Sequence, residues 1–166
     1  AGTVMVEGPD VDLAIITIKE NAEEFWEGVA PITWDPCLPE LQVSVNVVGF
    51  PLGGQTICVT EGVVSRIDCM NYRDASMQDA GYAGSANAAP GSILVVQIDA
   101  AINGGNSGGP CFNDRGAVMG VAFQGLGGED AQNVGYIIPS QIAMNFLDSV
   151  DQSGDNTYPG IQDIPY

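Results

Sequence analysis

Histidine is missing from all 166 residues. It is the side chain whose unperturbed titration falls near neutral pH, so proton-transfer chemistry here would need a base of another kind or one supplied from elsewhere. Basic residues are almost as scarce: four Lys and Arg stand against 21 Asp and Glu, for a net charge of −17. Such a surface repels phosphate backbones and anionic lipid headgroups, which argues against nucleic acid and membrane surfaces as partners. The charge reads as a solvated acidic face, with recruitment of a basic partner as the alternative. No apolar run approaches the ~20 residues of a membrane-crossing helix, and the N-terminus lacks the plan of a secretory signal. The four cysteines, Cys37, Cys58, Cys69 and Cys111, form no C-x-x-C pair. A zinc site would need all four at irregular spacing, so buried free thiols are expected, with a Cys58–Cys69 bridge across a hairpin left open. Calcium-loop spacing is also missing. No metal or organic cofactor is expected.

What is present suits a turn-rich β protein. Hydrophobic residues make up 45% of the chain, with 22 glycines and 10 prolines. The length fits one domain or two small barrels sharing an interface. Ala1–Glu7 and Val11–Lys19, joined by Gly8-Pro9-Asp10, read as a strand pair. Residues 20–40 are acidic and then proline-bearing, which predicts a short turn-like segment and a linker, with Phe25, Trp26 and Trp34 packing it down. Short strands then follow at Leu41–Phe50, Thr56–Thr60, Gly62–Met70, Ser92–Ile98, Gly116–Gln124 and Asn133–Ile138, consistent with a closed barrel or a sandwich. In the first of these Val43, Val45 and Val47 share one face. Asn71–Gly91 is one long excursion. Pro139-Ser140 opens a helix, with Ser140 as N-cap, an apolar stripe of Ile142, Ala143, Phe146, Leu147 and Val150, and Gly154 as the stop.

The chemistry points to Asp99-Ala-Ala-Ile-Asn-Gly-Gly-Asn-Ser107-Gly-Gly-Pro110. A serine hydroxyl becomes a useful nucleophile only with a base, a group that orients the base, and donors for the oxyanion. Glycines at 104, 105, 108 and 109 allow positive φ and N–H groups aimed at one point. Asp12, opening the run Asp-Leu-Ala-Ile-Ile-Thr-Ile-Lys, reads alone as a turn or strand-edge residue and gains interest only beside Ser107.

Six motifs occur in order: Asp-Leu-Ala-Ile-Ile-Thr-Ile, Val-Val-Gly-Phe-Pro-Leu-Gly-Gly, Gly-Val-Val-Ser-Arg-Ile, Gln-Ile-Asp-Ala-Ala-Ile-Asn-Gly-Gly-Asn-Ser-Gly-Gly-Pro, Gly-Val-Ala-Phe-Gln and Asn-Val-Gly-Tyr-Ile-Ile-Pro. Together they resemble HtrA/Deg serine proteases, most of all those of plants and algae, from about Val11 to the helix. The resemblance implies an all-β, chymotrypsin-like double β-barrel, with the first barrel incomplete and a helix at the C-terminal end. Residues 1–30 would be the remnant of the N-terminal barrel, 31–40 the inter-barrel linker, 41–154 the second barrel with its helix, and 155–166 a tail or linker, without the family's PDZ domain. It places Ser107 on the nucleophile and Asp12 on the aspartate that orients the base. The N–H groups of Gly105 and Ser107 fall on the oxyanion-hole donors, and Ile102, Ala122 and Phe123 on a small apolar substrate pocket. It further implies ATP-independent proteolysis of unfolded or damaged proteins, a homotrimer or larger assembly, and an organelle, chloroplast or mitochondrion, as location.

The sequence departs from that family in the missing histidine. The only lysine, Lys19, is seven residues from Asp12 along the same strand and makes a poor substitute base. Without a base a serine site keeps only its oxyanion hole and substrate binding. Three readings follow: part of an active Deg-type endopeptidase whose histidine lies outside this stretch, a catalytically silent Deg-like binding or structural subunit, or a glycine-rich β domain whose Ser107 is a turn residue.

Overall fold

A computed structural model describes residues 2–51, 54–71, 92–126, 134–154 and 157–158. Alternating valines set its architecture. In β3 (Ser44–Gly49) the odd positions Val45 and Val47 are fully buried while Ser44 and Asn46 stay on the outer face. Five further strands follow: β4 (Cys58–Asn71), β5 (Ser92–Ile98), β6 (Pro110–Phe112), β7 (Val118–Leu126) and β8 (Val134–Pro139). These six close into an antiparallel barrel in the order β3-β4-β5-β8-β7-β6 around Val47, Val64, Val96, Ile98, Met119 and Ile137. Closure leaves no strand edge to protect.

Two expectations inside the barrel change. The segments 56–60 and 62–70 are one continuous strand, bent by a bulge between Val64 and Arg66. Gly62 sits within it because a Cβ there would collide with the Ala100 backbone nitrogen, so glycine marks a close approach of chains and not a turn. Cys58 and Cys69 therefore lie eleven residues apart on one strand, about 36 Å at strand rise, and no hairpin brings them together. All four thiols are free. Only Cys111 is the buried thiol expected; Cys37 and Cys69 are exposed. Burial in the barrel pushes the Cys111 pKa up to about 12.

Ahead of the barrel, β1 (Gly2–Gly8) and β2 (Leu13–Ile18) form a separate two-stranded antiparallel sheet. Its turn is closed by Val11 N–H donating to the Gly8 carbonyl at 3.1 Å. One face of the pair stays open to solvent, where Val4 and Ile16 lie opposite each other. A five-residue helix, α1 (Ala22–Trp26), follows. Phe25 and Trp26 are exposed and stack edge-on against each other at 4.8 Å, in place of the expected packing onto a barrel.

Asp35 fastens the linker instead. Its carboxylate accepts hydrogen bonds from Asn113 Nδ2 (2.8 Å), Arg115 Nη2 (3.1 Å) and Cys37 N–H (3.1 Å). Its own N–H donates to the Val118 carbonyl, beside a parallel bridge between Trp34 and Val118. The Asp35 carbonyl accepts the hydroxyl of Ser140 at 2.5 Å. Ser140 is thus the first residue of α2 (Ser140–Ser153) and not its cap; Pro139 takes that place, with no side-chain cap bond. The far end is as expected, with Gly154 at φ 70° donating back to the Asp151 carbonyl. Ala143, Phe146 and Val150 of the predicted stripe are buried. The excursion at 71–91 and the tail at 155–166 lie, but for Asn71, Thr157 and Tyr158, outside the described residues.

Candidate active site

Residues 99–109 connect β5 to β6, and the loop is pinned at many points. Asn106 N–H donates to the Asn103 carbonyl, closing a turn, and Gly109 N–H donates to the Asn106 carbonyl, both at 2.9 Å. Gly108 N–H donates to the Ala122 carbonyl, and Ala122 N–H returns the bond to Gly109. The Ala101 carbonyl accepts Thr60 Oγ1 at 2.9 Å. Gly109 has to be glycine, because a Cβ there would run into the Val48 carbonyl oxygen of β3. Positive φ occurs at Gly105 (104°) and Gly108 (83°), two of the four positions the sequence offered.

This bonding leaves a particular set of donors over. Among the described residues, the N–H groups of Gly105 and Ser107 have no backbone or side-chain acceptor. They flank Asn106, whose side chain is buried at 1% exposure. Ser107 is exposed, and its Oγ donates to the Phe123 carbonyl at 3.3 Å. That carbonyl is available because β7 bulges at Phe123, between Ala122 paired with Ile137 and Gln124 paired with Tyr136.

Asp12 reaches the same place from the other side. It ends the β1–β2 turn at φ 53°, a left-handed conformation that aspartate tolerates better than most residues. A cleft of about 490 Å³ holds Asp12, Ser107, Gly108, Ala122 and Phe123 on its walls, with Trp34 and the helix residues Ala143, Phe146 and Leu147. Thus four of the six residues singled out from the sequence meet in one cleft although 95 positions separate Asp12 from Ser107. Gly105 and Ile102 are not among its lining residues. Ile102 lies against the barrel core, close enough to β8 that a Cβ on Gly135 would come within 2.8 Å of its Cδ1. Sequence reasoning missed the contribution of α2: the apolar stripe was legible, but not that its Phe146 and Leu147 would face the cleft.

Chemically, the cleft brings a hydroxyl and a carboxylate onto largely apolar walls, and one of the two unused N–H donors belongs to its lining residue Ser107. No cluster of three or more metal-ligating side chains occurs among the described residues. No helix among them is long and apolar enough to cross a membrane.

Comparison with known proteins places this geometry in context. The trypsin-like peptidase domain family matches residues 1–121. The chain is 45% identical over 94% of its length to Protease Do-like 2, chloroplastic, of Arabidopsis thaliana, covering 23% of that protein. It is 38% identical over 98% of its length to the putative Protease Do-like 3, mitochondrial, of the same plant, covering 26%. The chain spans about a quarter of the length of these curated relatives. Among solved structures, it matches the active form of the Rv3671c protease of M. tuberculosis with a TM-score of 0.69 at 22% identity, covering 89% of this chain and 57% of that one. The HtrA-type protease AlgW with a decapeptide matches at 0.67 and 21% identity, covering 92% of this chain and 40% of that one.

Proposed function

Since the chain belongs to the trypsin-like peptidase domain family and is similar to Do-like (Deg/HtrA) serine proteases over nearly its whole length, we propose that it carries the serine and aspartate of a Deg-type serine endopeptidase. The observation that carries this is the meeting of Asp12 and Ser107 on one cleft, beside two N–H groups without acceptors. In this reading Ser107 Oγ attacks the scissile carbonyl, and the N–H groups of Gly105 and Ser107 receive the oxyanion. Asp12 orients a histidine contributed from outside these 166 residues and stabilises the imidazolium formed when that histidine takes the Ser107 proton, which it then hands to the leaving amine. Ala122 and Phe123 favour a modest aliphatic side chain at the cleavage point, because an apolar wall offers no counter-charge to Lys or Arg.

The substrate class is an extended segment of an unfolded or damaged protein, in keeping with the peptide bound by AlgW. An organelle is the expected setting, because the two plant relatives above are chloroplastic and mitochondrial by name. A homotrimer or larger assembly of the intact protein belongs to the same reading.

The test is proteolysis of a permanently unfolded polypeptide, such as reduced and alkylated casein, by the native protein without ATP. Cleavage after small aliphatic residues, abolished by Ser107→Ala, is the expected result. Binding of the polypeptide with no cleavage in either form would replace the endopeptidase with a silent peptide-binding subunit.

A further inference from the structure

Asp12 is exposed, yet the residues around it are not. Val11 is 1% exposed and Leu13 packs partly, both into a cluster with Val6, Phe146 and Val150. Asp12 lines the cleft together with Leu13, while Val11 and Leu13 are also gripped by this cluster. The grip comes from the far end of the chain. Phe146 of α2 lies so close to the turn that a Cβ on Gly8 would come within 2.7 Å of its ring. Tyr158, beyond the helix, stacks edge-on against Phe146, with ring centroids 4.9 Å apart. The Tyr158 hydroxyl is buried and meets Asp10, two residues before Asp12, in a contact short of well-formed hydrogen-bond geometry. Burial first, and then the charge and acceptor oxygen of Asp10, push that phenol pKa up to about 12, so it stays protonated at any working pH.

We propose that Phe146 and Tyr158 are positioning residues for Asp12: the edge-on aromatic pair holds the Gly8–Asp12 turn, and thereby aims the carboxylate into the cleft that contains Ser107. This rests on the reading of Asp12 as the orienting carboxylate. The packing acts on the residues that flank Asp12: Val11 is buried in the cluster with Phe146, and Leu13 and Tyr158 pack against it. The helix is suited to the task because it also packs on β7 and β8 of the barrel, with Ala143 and Phe146 lining the cleft that holds Ser107. It is a strut that spans from the wall bearing the serine to the turn bearing the aspartate.

Two readouts on Tyr158→Ala and Tyr158→Phe test this. In NMR spectra of the isotope-labelled protein, Tyr158→Ala is expected to move the Asp12 amide and side-chain carboxyl resonances while those of Val45, Val47 and Ile98 stay in place. Tyr158→Phe, which keeps the ring on Phe146, is expected to restore most of the wild-type Asp12 signal. In the native protein, fluorophosphonate labelling of Ser107 should slow on the order of tenfold to a hundredfold in Tyr158→Ala, as expected for a misaimed catalytic group. Unmoved Asp12 resonances in Tyr158→Ala, or equal movement of turn and barrel resonances, overturn the positioning role. So does an unchanged labelling rate in a protein whose wild type is labelled. If the wild type takes no label at all, the peptidase reading fails, and the Asp12 resonances still decide the positioning.

Discussion

On the serine side of the cleft, six strands close on themselves, and Val45, Val47, Val95 and Ile98 have no exposed surface left. On the aspartate side, two strands leave Val4 and Ile16 at 50% and 63% exposure, and a pair of strands is at best marginally stable alone. The difference shows in how each functional residue is fixed. Ser107 is fixed by backbone hydrogen bonds to β7 and by glycines that let chains nearly touch. The turn that carries Asp12 is held by packing of Val11 and Leu13 against α2 and Tyr158. Precision on the first side is a property of the closed barrel; on the second it is borrowed from one helix.

The contrast can be broken most severely at Gly109. Gly109→Ala sets a methyl group against the Val48 carbonyl, and we expect a loss on the order of 4 kcal/mol or more, read as collapse of the urea unfolding midpoint by circular dichroism. Next is Phe146→Ala, a truncation worth about 3–5 kcal/mol of packing. Here the prediction is local: hydrogen exchange should lose protection across β1 and β2 while β3, β5 and β8 keep theirs. Uniform loss across the barrel would erase the distinction between the two sides.

A milder probe is thiol chemistry. At pH 8 Cys37 and Cys69 should react with a disulfide reagent in the folded protein, whereas Cys111, buried and raised to about 12, should react only on unfolding. Its linkage has a definite sign. Below pH 9 both states hold the proton and nothing changes; between about 9 and 12 the unfolded chain releases it and the folded barrel does not. Stability should therefore fall over that window, and Cys111→Ala should flatten the fall. The smallest effect is expected for Ile16→Ser on the open face of the hairpin, within about 0.5 kcal/mol in the same urea experiment.

The barrel was legible in the sequence because its signals are local. Valine alternation marked β3, and Ser92–Ile98 was bounded correctly at both ends. What misled was glycine and serine, whose local meaning depends on distant chain. Gly62 read as the start of a new strand but lies inside one and answers to Ala100, and Ser140 resembled a cap but answers to Asp35, 105 positions away. Pro110–Phe112 went unread as a strand since three residues carry no period. At the site, the glycine loop declared Ser107, and ordered motifs paired it with Asp12. The role of Asp35 in fastening the linker had no local signal, because its partners Asn113 and Arg115 adjoin it only in the folded chain.

The account turns on Ser107 being a nucleophile that Asp12 serves. The most direct measurement is fluorophosphonate labelling of the native protein, followed by intact mass and mapping of the modified peptide. A single adduct on Ser107 is expected, lost in Ser107→Ala and slowed in Asp12→Asn on the order of a thousandfold or more. An adduct on another serine, or labelling of Ser107 at equal rates in the presence and absence of the Asp12 carboxylate, would contradict it.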